Sequence, residues 1–270
     1  QQAVNMEVKD PELMASLRYG LGYAFFNLQQ FDKALFHFRE LSKYPTDGSI
    51  QQDGLLRLGD CYYVAKSYTE AVAAYKRAIQ LRASESDYAY LQAGVIEGIL
   101  RQYDAAAGDL DRVIRDFPQS KYWDEAVYQR GQLDFGRGNY ASAASAFSRL
   151  LGSGKPGTRF TPLAHLRRAA SYFNLKDYNR TADDYIRVLT DYPAVAADQD
   201  VLLPLQEALN LAGRSQEFDG YLAKFKTANP NAKGVESVEF ESARNYYFNQ
   251  DYPRSETGFA NYVAGYPESA

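Results

Sequence analysis

The sequence predicts an all-α solenoid of about seven helix pairs, and three observations carry that prediction. A small residue returns to one phase along the chain, at Gly22, Gly59, Gly94, Gly131 and Ala169, then at a degenerate Gln206 and at Ala243, with intervals of 37, 35, 37, 38, 37 and 37 residues. Apolar residues inside each interval recur at helical rather than alternating spacing. Most intervals close on an aromatic residue followed by proline, namely Tyr44-Pro45, Phe117-Pro118, Tyr192-Pro193 and Tyr266-Pro267, with Asn229-Pro230 in the sixth.

Residues 1–10 read as a linker or the tail of a preceding unit, and the repeats run over 11–270, in units of about 11–45, 49–82, 86–118, 120–157, 160–193, 196–230 and 235–267. The first helix opens at Asp10-Pro11-Glu12, a capping residue before a first-turn proline. Polar pairs then divide the units into two helices each: Lys66-Ser67 in the second, Arg101-Gln102 in the third, Gly138-Asn139 in the fourth and Lys176-Asp177 in the fifth. The fourth unit shows the pattern best, with Ala126, Val127, Leu133 and Phe135 on one stretch and Ala143, Ala144, Phe147, Leu150 and Leu151 on the next. The sixth departs most, placing Gln206 and Phe218 where small residues are expected. In the seventh, Tyr252-Pro253 puts proline where a missing N–H costs nothing. The closing prolines are expected to stop each second helix, because the residue before proline is pushed out of the helical region.

An aromatic stands nine residues after the small position in six units: Phe31, Tyr68, Tyr103, Tyr140, Tyr178 and Tyr252. Three residues on comes a small residue (Ala34, Ala71, Ala106, Ala143, Thr181, Ser255), and four beyond that a large apolar one (Phe38, Tyr75, Leu110, Phe147, Tyr185, Phe259). Small opposite large is the signature of two helices crossing closely, with one side chain absent so that its neighbour can fill the gap. A helical Gly costs up to ~1 kcal/mol against Ala, so four in phase need such a packing reason.

Composition narrows the function classes. The 270 residues are 46% hydrophobic and 24% charged with 23 Tyr, and the net charge is −4, which gives no cationic surplus for nucleic acid or an anionic membrane. No apolar run approaches the ~18 residues of a spanning helix, so no direct membrane insertion is expected within the chain. The single Cys61 cannot form an internal disulfide, and its surroundings lack a base or basic cluster to make it a thiolate.

No catalytic, metal or cofactor site is expected. His37 and His165 belong to no metal-binding spacing and read as packing or surface residues. Residues 152–158 imitate a phosphate loop, yet Pro156 stands where magnesium needs Ser or Thr, so the segment reads as an inter-repeat loop. Asp109 and Asp111, like Asp183 and Asp184, read as solvated helix faces. Asn179-Arg180-Thr181 matches a glycosylation acceptor, but Thr181 occupies the packed small position.

The ordered set of Gly or Ala, Tyr, Ala, Phe or Tyr and Pro resembles the tetratricopeptide repeat over essentially the whole chain from Pro11, which implies a right-handed α-solenoid. Phe117-Pro118-Gln119-Ser120 with Asp124-Glu125-Ala126, and Tyr266-Pro267-Glu268-Ser269, resemble repeats of bacterial cell-envelope proteins such as the TolA-binding division coordinator and the lipoprotein of the outer-membrane barrel-assembly machinery. The resemblance implies a periplasmic or outer-membrane location, and because the sequence stops at Glu268-Ser269-Ala270 where another unit should begin, a longer natural chain is expected. It also implies that first helices line a concave groove, at Tyr19, Tyr23, Phe26, Asn27, Leu56, Asp60, Tyr63, Tyr88, Leu91, Val95, Tyr128, Gln132, Phe135, Leu166, Phe173, Phe240, Arg244 and Tyr247. The carboxylate clamp of chaperone adaptors is not expected, because its cationic positions hold Tyr19, Tyr23, Leu56, Asp60, Leu91 and Val95. The expected function is a non-enzymatic scaffold binding protein segments or peptides; the alternative is a glycan-binding module of an outer-membrane uptake system, since Tyr and Phe faces also stack on sugars.

Overall fold

A computed structural model describes residues 10–44, 46–81, 86–154, 158–198, 201–229 and 234–268. Pro45 and Pro230, residues 1–9 and Lys155-Pro156-Gly157 of the imitation phosphate loop lie outside the described residues, as do Ser269 and Ala270. The described residues form fifteen α-helices and no strand. The helices follow one another as α1 (Pro11–Asn27) and α2 (Phe31–Leu41), α3 (Gly48–Val64) and α4 (Tyr68–Leu81), α5 (Asp87–Ile99) and α6 (Tyr103–Asp116), and α7 (Trp123–Gly136) and α8 (Tyr140–Leu151). After α9 (Phe160–Asn174) and α10 (Tyr178–Asp191) a short α11 (Pro193–Asp198) intervenes, followed by α12 (Leu202–Leu211), α13 (Phe218–Ala228), α14 (Val235–Phe248) and α15 (Tyr252–Gly265).

Each pair turns in the same way. Seven residues after the small position the backbone enters the left-handed region, at Gln29, Lys66, Arg101, Gly138, Lys176, Gly213 and Gln250, with φ between 56° and 77°. The next amide reaches back five residues, from Gln30 to the Phe25 carbonyl through to Asp251 and Tyr246, at 2.8 to 2.9 Å every time. This is the Schellman ending, which satisfies the orphan carbonyls of the last helical turn. Only Gly138 and Gly213 occupy it without a Cβ; each of the other five residues holds the left-handed conformation at a cost of about 1 to 2 kcal/mol.

The crossings account for the small residues. A Cβ built on Gly22 would lie 2.7 Å from the Phe38 ring, one on Gly59 2.7 Å from Tyr75, and one on Gly94 2.9 Å from Leu110 and 3.1 Å from the Ala106 carbonyl. In the seventh unit the glycine moves to the other helix, where a Cβ on Gly258 would meet Ala243 at 2.8 Å. Thr181 and Ser255 use the same close approach to donate their hydroxyls to the facing carbonyls of Ala169 and Ala243. Thr181 is fully buried, which removes it as part of a glycan acceptor. In the sixth unit Gln206 and Phe218 are both fully buried; Phe218 fills with a ring the space that an alanine leaves elsewhere.

Phe117, Tyr192, Asn229 and Tyr266 cap their helices with φ near −130° and ψ near 60°, outside the helical basin as the following proline requires. The second helix of the fifth unit stops at Asp191 as expected, but the chain beyond it turns helical again. Pro193 does not leave the chain non-helical but opens α11, whose Ala196 amide donates to the Tyr192 carbonyl at 3.0 Å. Proline lacks a donor that the first helical turn does not use, so a helix stop and a helix start can share one residue.

The chain divides into two compact units, Gln1–Leu133 and Asp134–Ala270. In the N-terminal unit, α1 to α6 pack each against the next, and α1 also touches α3. Its core is built on Phe38, Leu55, Leu58 and Cys61, then on Tyr75, Ala89, Ala93 and Ile96. At its end the Trp123 indole, almost fully buried, donates to the Ile114 carbonyl at 3.1 Å. In the C-terminal unit, α8, α9 and α10 pack in sequence, α10 then supports α11, α12 and α13, and α12 and α14 lead to α15. Leu205, Leu209, Phe218 and Phe225 form its core with Val188 and Leu189.

The third-unit crossing tests this packing. Gly94→Leu is expected to lower stability by ~1 to 3 kcal/mol, since Leu110 and the Ala106 backbone leave no room for the added atoms. Urea denaturation reads the change, and an unmoved midpoint would show that the crossing is not tight.

Candidate functional site

In the N-terminal unit, first helices α1, α3 and α5 are joined by a polar cluster. The Tyr19 hydroxyl donates to Asp53 at 2.8 Å, and Tyr23 donates to the same carboxylate oxygen. One turn on, Arg57 pairs with Asp60, while Tyr75 and Tyr88 donate to the other Asp60 oxygen at 2.6 and 2.7 Å. The Arg57 guanidinium also lies 5.7 Å from the ring centres of both Phe26 and Tyr88. Burial first, and the neighbouring aspartates second, push the Tyr23, Tyr75 and Tyr88 hydroxyls above the ordinary phenol range, so they remain donors at physiological pH. Burial opposes the charge on Arg57, yet Asp60 and its other neighbours prevail and raise its pKa.

This arrangement changes the role of several expected groove residues. Asp60 is nearly buried and serves as an internal acceptor, and the polar tips of Tyr19, Tyr23 and Tyr88 are bonded to aspartates. Phe26 packs edge-to-face on Phe31 at 5.5 Å, across the turn of its own helix pair. Edge-to-face contacts recur as Phe135 on Tyr140, Phe173 on Tyr178 and Tyr247 on Tyr252, and a tilted one as Tyr63 on Tyr68, all between 5.3 and 5.9 Å. Among the first-helix rings of this set, Tyr63 (41% exposed) and Tyr247 (55%) present most to solvent, with hydroxyls that bond no described residue. Leu91 and Tyr128 are buried, Leu166 packs on the C-terminal core, Val95 and Gln132 are half-buried, and Asn27 is exposed at the end of α1. Arg244 pairs with Glu241 at 2.6 Å, and Phe240 packs on Phe259 and Tyr262. Asp53 and Arg57, which organise the cluster, carry no phase signal that singles them out, and Tyr75 is phased only as the ring opposite Gly59.

The aspartates read as solvated divide in two. Asp111 and Asp183 are exposed and pair with Arg130 and Arg214. Asp109 and Asp184 are buried, because their helical positions face the preceding helices rather than water. Asp184 accepts from His165 Nδ1 at 2.7 Å and from two nitrogens of Arg168 at 2.7 and 2.8 Å; burial opposes its charge, but these donors hold its pKa below the ordinary range. Asp109 shares Lys76 with Glu97, and here burial wins, raising both carboxyls. His37 is packed, stacked on Phe25 with Arg18 at 3.2 Å from its Nδ1, and burial lowers its pKa. Burial pushes the Cys61 thiol up to about 12. Among the described residues no group of three or more His, Cys, Asp or Glu is arranged to hold a metal, and no helix is long and apolar enough to cross a membrane.

Among the described residues, cavities open between successive first helices in each unit. The first, about 600 Å³, lies between α1 and α3 beside Glu12, Tyr19, Thr46 and Ile50. The second, about 510 Å³, lies between α12 and α14, with Glu207, Asn210, Glu241, Asn245 and Phe248 among its walls.

The charged groups generate two expectations. Asp60→Ala strands two tyrosine hydroxyls and Arg57, and should cost about 3 kcal/mol, whereas Tyr63→Ala should stay within roughly 1 kcal/mol; urea titrations of both variants compare them. Glu97 and Asp109 hold protons more tightly folded than unfolded. Their contribution is therefore complete below the ordinary carboxylate range and is lost as pH rises through the raised folded values. Glu97→Gln should accordingly match the parent near pH ~4 and exceed it in stability near pH ~8, as read from denaturation midpoints.

A model of the tetratricopeptide repeat matches residues 19–87 and 128–196, together just over half of the chain. No curated protein sequence matches. Among solved structures, the C-terminal part of a TPR repeat-containing protein from Cytophaga hutchinsonii is similar at 16% identity, covering 91% of this chain and 94% of that one with a TM-score of 0.68. A tetratricopeptide repeat protein from Parabacteroides merdae is 15% identical over 93% of each chain, with a TM-score of 0.62. PilW, a widely conserved type IV pilus biogenesis factor, is 16% identical over 83% of this chain and 97% of its own, with a TM-score of 0.57. Repeated small-on-large crossings, recurrent left-handed turns and the matched sequence model agree: this chain belongs to the tetratricopeptide repeat family.

Proposed function

We propose that the protein is a non-enzymatic scaffold that holds segments of partner proteins on its first-helix faces, in bacterial cell-envelope assembly or maintenance. The observation that carries this reading is the pair of exposed tyrosines, Tyr63 on α3 and Tyr247 on α14. Each is oriented by a ring across its turn and keeps a hydroxyl that no described residue uses. A rigid ring with one polar tip gives large contact area at small entropic cost, which suits a recognition anchor. The likeness in fold to a pilus biogenesis factor and the aromatic-proline-x-serine endings support the envelope setting and a periplasmic or outer-membrane location. A glycan-binding role is the second reading, favoured by the contiguous exposed rings of Tyr247, Phe248 and Tyr252. The turns within six of the helix pairs are three residues long and that of the sixth unit six, none of them an inserted loop for a sugar, which supports the protein partner.

Panning a random peptide library on the protein, beside a glycan array, tests the reading. Enriched peptides should bind with Tyr63→Ala weakening the complex by ~2 kcal/mol at an unchanged melting temperature, while Asp111→Asn leaves it intact. Tyr23 is a poor probe, because its hydroxyl is tied to Asp53. Loss of binding with Asp111→Asn but not with Tyr63→Ala would move the site to the α6 side, and glycan binding without peptide enrichment would favour the second reading.

A further inference from the structure

We infer that the first-helix face of α9 receives an acidic side chain of the partner segment on Arg167, an assignment that rests on the first-helix faces being the binding surface. The net charge of −4 hides an uneven distribution. Residues 135–176 hold seven Lys or Arg and neither Asp nor Glu, whereas residues 177–270 hold 15 acidic residues against 8 basic ones. The acid-free stretch includes α8 and α9, which pack on each other in the C-terminal unit, so its cations gather on one pair of helices and the chain beside them.

Most of these cations are already used. Arg168 turns inward to Asp184 and Ser148, and Arg137, Arg149 and Arg159 are engaged by other groups of the chain. Arg167 is different. It is exposed, its guanidinium lies 5.8 Å from the centre of the Phe135 ring, and it bonds no acceptor among the described residues. Every other arginine on a first helix has one: His37 for Arg18, Asp60 for Arg57, Asp111 for Arg130, Asp184 for Arg168 and Glu241 for Arg244. Burial raises the pKa of the Tyr185 hydroxyl; of the charges acting on it, Glu207 on α12 adds to this and Arg167 opposes it, yet the two form no ion pair with each other.

The ring sets how this cation is presented. Phe135 is itself fixed edge-to-face on Tyr140 at 5.3 Å, and a guanidinium held against a ring keeps its N–H donors for an acceptor. A carboxylate meets them with two parallel hydrogen bonds. One residue after the small position, where other units place Tyr23, Asp60, Glu207 or Arg244, the fifth unit places Ala170, so no long side chain crowds the approach from the next turn of α9. A phosphate backbone asks for a row of free cations, and beyond Arg167 the stretch adds only Lys176, at the turn that ends α9, without a partner among the described residues. One carboxylate needs one guanidinium. Other first helices precede and follow α9, so a segment crossing their faces meets Arg167 with an internal Asp or Glu rather than with its terminus.

Panning a random peptide library on the protein and on its Arg167→Gln variant, with oligothymidylate as a second probe, tests the assignment. Peptides enriched on the parent should share an Asp or Glu at one position, and the amide in its place should weaken binding roughly tenfold, less so in added salt. On Arg167→Gln that preference should vanish, at an unchanged urea midpoint because the side chain is exposed. Arg167→Lys should recover only part of the affinity, since an ammonium cannot make the paired bonds. Arg187→Gln removes an equal charge from α10 and should change nothing. An equal loss with Arg187→Gln, dependence on a free C-terminal carboxylate, a dimer in sedimentation that Arg167→Gln dissolves, or Arg167-dependent binding of oligothymidylate without acidic enrichment would each overturn the assignment. Peptides enriched with no acidic preference would defeat this inference and leave the scaffold reading standing, whereas no enrichment at all would defeat both.

Discussion

Everything in this architecture depends on how closely two helices of a pair approach where one of them lacks a side chain. At Gly22, Gly59 and Gly94 the facing Phe38, Tyr75 and Leu110 stand where a Cβ would be. That distance sets the span of the turn, which the chain covers with a single left-handed residue and one backward hydrogen bond. The same short turn brings the end of the first helix to the start of the second, and the aromatic pairs form there. Where larger residues take the crossing positions, at Gln206 and Phe218, both are still fully buried, and the ring across the turn is absent because Asn210 stands in its place.

Neighbouring pairs are tied by a second kind of contact, polar and about one repeat apart in sequence. Tyr19 with Asp53, Gln52 with Ser86, Ser120 with Asp87 and Gln206 with Ser242 all link one unit to the next. Such bonds are directional, so they specify how one pair sits on its neighbour, where apolar packing alone tolerates sliding. The Asp53–Arg57–Asp60 row gathers four tyrosines in this way, and the face it supports is held rather than adaptable.

The helix pairs were legible in the sequence because their determinants are local: the small position, the turn seven residues later and the capping Asp10 all lie within a few residues of what they control. The site was less so. Asp60 and Tyr88 look ligand-facing by phase, yet an Arg three residues from one and a Tyr on a second helix enclose them. Asp109 and Asp184 look solvated for the same reason, since only the neighbouring helices supply Lys76, His165 and Arg168. Pro193 shows that a residue able to end one helix can equally begin the next, so the stop signal alone does not fix the path of the chain beyond it. Position along a helix can be read from one repeat; what faces that position is written in another.

The lone tryptophan gives this repeat array an internal gauge of its own cooperativity. Trp123 sits buried at the start of α7 with its indole bonded to the last turn of α6, so its emission reports the loosening of that one joint, while circular dichroism averages over every helix. In a quasi-one-dimensional array the coupling between neighbours decides whether all joints melt together. Coincident transitions by the two probes would describe a chain that unfolds as one body, and their separation would measure how independently its repeats come apart.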